Sequence, residues 1–212
     1  MDYPKPIQNL ITIFSKFPGI GPRQATRFVF FLIKDKNGLK EALMNSLKEI
    51  EENVGFCQQC FRSMEKDPSD ERTLICAFCR DPKRNPRLIA VVEKESDLSS
   101  IEKTGIYQGV YHVLGGVVSP LDPDSPKKIH LRELYNHVKN ILEKQNTAEV
   151  ILATSATTEG DTTALYIERI LAPLKETDRA FRISRLGRGL SLGSELEYAD
   201  EITLKSALTN RL

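Results

Sequence analysis

Two Cys-x-x-Cys pairs, Cys57 with Cys60 and Cys76 with Cys79, are separated by fifteen residues and use every cysteine of the 212-residue chain. Each pair offers two thiolates to one ion from a tight turn, and two such knuckles complete a tetrahedron around Zn2+. Four sulfur ligands leave no position for water, so one structural, non-catalytic zinc per chain is expected. That ion would fold a segment too polar to fold itself. Four free buried thiols are the weaker alternative, and a redox pair is weaker still because neither knuckle opens a βαβ helix. The opening "MDYPKPIQNL" lacks the layout of a signal peptide, and no apolar run reaches the roughly 18 residues that cross a bilayer. The expected address is cytoplasmic, away from membranes, where thiols stay reduced.

The cysteines divide two textures. Before them, Ile7, Leu10, Ile11 and Phe14 recur at helical spacing, then Ala25, Phe28, Val29 and Leu32, then Leu39, Leu43, Leu47, Ile50 and Val54. This predicts a helical module over residues 1–55, followed by a finger over 56–80. After "RDPKRNPR", the runs "LIAVV", "GVYHVLGG", "EVILAT" and "AFRISRL" resemble buried parallel strands, with helices over 131–144 and 162–174 between them. Alternating strands and helices predict an α/β layer over 81–185 and a C-terminal segment over 186–212. The proline-rich "VVSPLDPDSPKK" reads as an ordered excursion or lid.

Between the first two helices lies "FPGIGPRQATRF". Gly19 and Gly21 can take positive φ at little cost, and Pro22 suits the first turn of the next helix. Free N–H groups at that turn form a ready anion site, with Arg23 and Arg27 four residues apart on one face beside it. Such a cradle holds phosphate without reading bases. An ordinary turn with solvated arginines fits the pattern equally well. The stretch resembles the helix-hairpin-helix of DNA-repair proteins, which implies a grip on backbone phosphates by Gly19, Gly21, Arg23 and Arg27.

Glu93 follows the first strand of the α/β layer, and Glu159 and Asp161 follow a later one. Ligand sites gather at the carboxyl ends of parallel strands, and three acids there can hold Mg2+ for phosphoryl chemistry. Acids at strand ends also serve simply as solvated groups or helix starters, Glu159 among them. A glutamate after one strand with an acid-x-acid pair after another resembles the Toprim domain of topoisomerases and primases. Here the pair is Glu-Gly-Asp where catalytic Toprims present two aspartates, and no cleaving tyrosine domain or primase module is evident. A Mg-dependent nuclease or topoisomerase-like enzyme is therefore the alternative reading.

Helix-hairpin-helix, four-cysteine finger and Toprim, in this order, are the parts of the RecR family of bacterial recombination mediators. "TGIYQGVYHVLGGVVSPLD", "EVILATSATTEGDTTALYI" and "LGRGLSLGSELEYADEITLKSAL" resemble its hallmark blocks, so similarity covers nearly the whole chain. The resemblance implies a multi-part α/β fold with a C-terminal wrap-around segment and a protein without enzymatic activity of its own. It implies a homotetrameric clamp on gapped DNA and single/double-strand junctions. RecO, and in many bacteria RecF, would be its partners in loading RecA where single-strand-binding protein coats DNA. The DNA contacts carry over to Arg23 and Arg27, the zinc ligands to the four cysteines, and a partner-binding or vestigial Mg site to Glu93, Glu159 and Asp161. The chain departs from the family in a longer finger loop, in Ser155-Ala156 for Asn-Pro, and in Arg188 and Ser191 where histidine and proline are usual.

A formal net charge of +1 makes a local patch, repeated by assembly, the expected source of DNA affinity. Several hairpins on one polymer would raise avidity roughly 10²–10⁴-fold. "GRGLSLG" lacks the spacing of a nucleotide loop, and no Ser-His-Asp grouping emerges. His112 is expected to pack in a strand, with His130 and His137 on helix surfaces, and Tyr107 and Tyr111 are expected to pack more readily than to stack on bases.

Overall fold

The computed structural model describes residues 3–66, 74–175, 180–187, 189, 190, 193 and 195–209. The departures at Arg188 and Ser191, and residues 67–73 of the finger's long loop, lie outside them. The chain divides into two compact units, Met1–Val54 and Gly55–Leu212.

In the first unit α1 (Lys5–Phe14), α2 (Pro22–Lys34) and α3 (Leu39–Asn53) follow the three predicted helical runs. Pro22 occupies the first turn of α2, where its missing N–H costs nothing, and Gly21 caps it in extended conformation. Ala25 and Val29 form the buried side of α2. Aromatic edges join it to the preceding residues, Phe28 against Phe14 at 6.1 Å and Phe30 against Tyr3 at 5.3 Å.

A two-stranded ribbon, β1 (Val54–Phe56) and β2 (Ser63–Glu65), begins at the boundary residue Val54 and, with the short α4 (Ala77–Arg80), carries the cysteines of the second unit. Then come β3 (Asn85–Val92), α5 (Glu95–Glu102), β4 (Gly109–Val113), α6 (Leu131–Gln145), β5 (Thr147–Ala153), α7 (Thr158–Lys175), β6 (Ala180–Arg185) and α8 (Glu201–Thr209). All pairings in the four-stranded sheet are parallel, in the order β4-β3-β5-β6. This is the α/β layer that the alternating runs predict.

Alternation along β3 splits the core between two faces. Ile89 and Val91 join Leu134, Val138, Ile167 and Leu171 of α6 and α7, while Ala90 and Val92 join Leu98 of α5, Tyr111 and the finger's Phe61 and Phe78. The finger thus completes the second face of the sheet. Tyr111 is buried, and Tyr107 donates its hydroxyl hydrogen to the Leu88 and Val110 carbonyls, so both tyrosines pack in the sheet. The excursion after β4 is ordered: the Val118 amide donates to Thr163 Oγ1 of α7, and Ser125 within it is buried and accepts from the Ser119 amide.

α5 carried too weak an apolar pattern to be expected from sequence. It starts where the Lys94 amide donates to the Asp97 carboxylate, a local capping bond.

Candidate nucleic-acid interface and metal centre

In the first unit the chain turns at Gly19, whose φ of +76° is the left-handed conformation that glycine adopts cheaply. A Cβ built on Gly19 or Gly21 would meet nothing within 4 Å, so both backbones lie open. The N–H groups of Gly19, Gly21 and Arg23 find no acceptor among the described residues. They form, with the N-terminus of α2, a cradle of donors beside two exposed guanidinium groups, Arg23 and Arg27. Neither arginine has an ion-pair partner among the described residues.

Residues 3–34 contain five cations, Lys5, Lys16, Arg23, Arg27 and Lys34, and no acid. The near-neutral total hides this segment, whose positive charge was legible in the sequence without any structure. Lys34 at the end of α2 is the residue that the hairpin motif alone does not point to.

In the second unit the four cysteine sulfurs lie within 4.8 Å of one another, a group able to hold one metal ion. A tetrahedral zinc with bonds of about 2.3 Å would set its sulfurs roughly 3.8 Å apart. Here Cys60 and Cys76 are 3.5 Å apart and Cys57 and Cys79 3.9 Å, so the donor set fits. The knuckles hold themselves: the Cys57 amide donates to the Arg62 carbonyl, and the Cys76 amide donates to Cys57 Sγ. Hydrogen bonding with Cys60 and then Cys76 drives the Cys57 thiol far below its ordinary value, while bonding with Cys57 and then Cys60 drives Cys79 far above. Four crowded thiols cannot all ionise unaided, and a cation among them removes that conflict.

The finger also binds the sheet. Phe61, held at a φ of +63°, stacks on His130 at 4.1 Å and meets His112 edge-on at 5.3 Å. Phe78 receives the guanidinium groups of Arg62 and Arg84, each at 4.3 Å. Arg84 in turn makes a two-pronged ion pair with Glu102, at 2.9 and 2.7 Å. His137 differs from the surface position expected of it: its Nε2 lies 3.3 Å from Gln59 of the finger, and its Nδ1 is buried.

The three acids take separate roles. Glu93 is 6% exposed, and its carboxylate accepts two 2.8 Å bonds from Ser155, one from the amide and one from the hydroxyl. Glu159 and Asp161 fall in the first turn of α7, Glu159 exposed and Asp161 3.6 Å from Arg185. Gly160 between them presses on that pocket, because a Cβ there would collide with the Ser155 carbonyl and stand 2.9 Å from Glu93 Oε1. Among the described residues the cysteines are the one group of three or more such side chains close enough to share a metal, and the acids do not form another. Ser155 and Arg185 were not singled out from sequence for these roles, since they meet the acids only through the fold.

Among the described residues no helix is long and apolar enough to cross a membrane. Three family models match the chain: "RecR, helix-hairpin-helix" over residues 7–50, "Toprim domain" over 87–186 and "RecR, C-terminal" over 189–212. Among similar proteins, one from Cutibacterium acnes is 41% identical across 99% of this chain and 96% of its own. One from Enterococcus faecalis is 41% identical across 100% and 98%, and one from Herpetosiphon aurantiacus 40% identical across 98% and 94%. All three bear the name Recombination protein RecR.

Proposed function

The chain belongs to the RecR family, and from that membership we propose that it is a recombination mediator in DNA repair, a sequence-independent DNA clamp without catalysis of its own. It assembles as a homotetramer, works with RecO and, where present, RecF, and helps RecA replace single-strand-binding protein at gaps. The observation that carries this reading is the open hairpin: amides at Gly19, Gly21 and Arg23 without an acceptor, beside two arginines without an ion-pair partner, among the described residues. Amides and guanidinium groups grip phosphates without reading sequence, as a protein loaded at any gap requires.

The division of labour follows the chain: residues 1–55 hold DNA, 56–80 bind one structural Zn2+, 81–185 form the Toprim platform and 186–212 wrap around. Cys57, Cys60, Cys76 and Cys79 would hold the zinc, which supplies folding energy and no chemistry, since four sulfurs saturate it. Glu93, Glu159 and Asp161 mark the platform edge that meets RecO. Their arrangement supports binding over Mg-dependent cleavage, because Ser155 already occupies both oxygens of Glu93 and Arg185 lies against Asp161.

Binding to a gapped duplex across a salt series, with and without RecO, tests the proposal. Arg23→Ala with Arg27→Ala should weaken binding and lower the salt slope by about 2 for each hairpin engaged on the DNA, one per lost phosphate contact. Retention with an unchanged slope would overturn the clamp. Nicking, relaxation or primer synthesis with Mg2+ or Mn2+ that Glu93→Gln abolishes would replace it with the enzymatic reading.

A further inference from the structure

The hairpin reading leaves most of α2 without a task, yet the helix continues its positive stripe beyond the arginines. Arg27, Phe31 and Lys34 recur at i, i+4 and i+7, and so share one face, with Gln24 and Phe28 beside them. Ala25 and Val29 form the opposite, buried side. Along the axis Arg27 and Lys34 stand about 10 Å apart, with Phe31 between them.

The aromatic residues of this helix are not equivalent. Phe28 and Phe30 are engaged by Phe14 and Tyr3. Phe31 is 64% exposed, and among the described residues no aromatic ring packs on it. It borders a groove of about 660 Å³ lined by Gln24, Arg27, Phe28, Phe30, Phe31 and Lys34. Leaving a ring in water forgoes the free energy of burying it. This ring sits between two cations that lack ion-pair partners among the described residues, in a segment of 32 residues, 3–34, with no acid.

We propose that this face of α2 is a contact for single-stranded nucleic acid, in which Phe31 takes the face of an unpaired base while Arg27 and Lys34 hold the flanking phosphates. The proposal rests on the reading of the hairpin as a phosphate grip and adds which form of DNA the grip prefers. Cations interleaved with an exposed aromatic are the elements by which proteins bind single strands without sequence preference, because every base has a π-face. A duplex cannot satisfy the ring, since its bases are already stacked on one another. Charge selects the occupant: a stripe that is positive and acid-free favours a polyanion over an apolar peptide.

The chain contains no tryptophan, so Phe31→Trp installs one indole per chain as a reporter of stacking. Its fluorescence should be quenched by single-stranded oligothymidine and much less by a blunt duplex of equal length. Phe31→Ala should weaken single-strand binding roughly 5- to 150-fold, with little change in salt slope and little loss on duplex. Phe31→Trp should keep wild-type affinity, which a loss of folding would not allow.

Equal loss on both substrates, or none, while Arg23→Ala with Arg27→Ala still weakens binding, overturns the stacking contact and leaves the hairpin grip standing. An arginine double variant that binds as tightly as wild type removes the grip and the stacking proposal with it. A fall in oligomeric mass on Phe31→Ala also overturns the proposal, because the ring would then serve contact between copies of the chain.

Discussion

The carbonyl oxygen of Cys60 accepts a 2.8 Å hydrogen bond from the amide of Val113, the last residue of β4. A metal knuckle is thereby tied to the outer strand of the parallel sheet. The Ser63 amide and hydroxyl reinforce the link by donating to Glu95 Oε1 at the start of α5.

Metal removal should therefore be felt in the sheet and not in the finger alone. Chelation or Cys76→Ser is expected to release the knuckle and abolish the hydrogen-exchange protection of the Val113 amide, while β5 and β6 amides stay protected. Protection at Val113 that survives complete loss of metal would show that the knuckle and the strand hold their places independently.

Phe61 is the second tie, and its backbone makes a distinctive prediction. Removing the ring with Phe61→Ala forfeits its stacking on His130 and should cost about 2 kcal/mol, or a Tm lower by roughly 4–8 °C. Phe61→Gly loses the same ring but relieves the left-handed φ of +63°, so it should be more stable than the alanine variant by about 1 kcal/mol. Thermal unfolding of both variants decides the order, and the reverse order would show that this backbone position carries no strain.

These ties also mark where sequence reading stops. The hairpin, the cysteine spacing and the strand runs are local patterns, and each reappears in the structure at its place. Cys60 with Val113, Phe61 with His130, Glu93 with Ser155 and Asp161 with Arg185 are pairs made by the fold, separated by dozens of residues or approaching through a different strand. Nothing in the spacing of single residues encodes them. Gly160 is intermediate: its place between two acids was visible, but the reason for glycine is the Ser155 carbonyl lying against it.

That contact makes Gly160 the least replaceable residue of the acidic turn. Gly160→Ala would force α7 away from the Ser155 carbonyl and the Glu93 carboxylate, costing about 1–3 kcal/mol by overpacking. Ser155→Ala leaves the space intact but deprives a buried carboxylate of one of its two donors, with a loss of similar size. If denaturant unfolding of either variant matches the wild type, Glu93 is not held as described.

Acid stability should report the buried histidines. Burial lowers the pKa of His112 from 6.5 to about 3, so its ring stays neutral in the folded chain, with Nε2 donating to the His130 carbonyl and Nδ1 without a partner among the described residues. The unfolded chain takes up a proton near pH 6.5 that the folded chain refuses, so stability is fully present above that pH. It is lost as pH falls toward 3, at about 1.4 kcal/mol per pH unit. His137, lowered by burial to about 4, adds loss of the same sign in the upper part of that window. Glu102 is held below its ordinary value of 4.5 by its hydrogen bonds with Arg84 and adds a further component, present above that value and lost below it. His112→Gln keeps an amide donor for His130 but cannot ionise. Its stability at pH 7 should be lower through poorer packing, and its decline between pH 6.5 and 4 shallower by about 1.4 kcal/mol per unit. Urea unfolding at a series of pH values tests this, and parallel curves for variant and wild type would mean that His112 takes up its proton without unfolding the sheet.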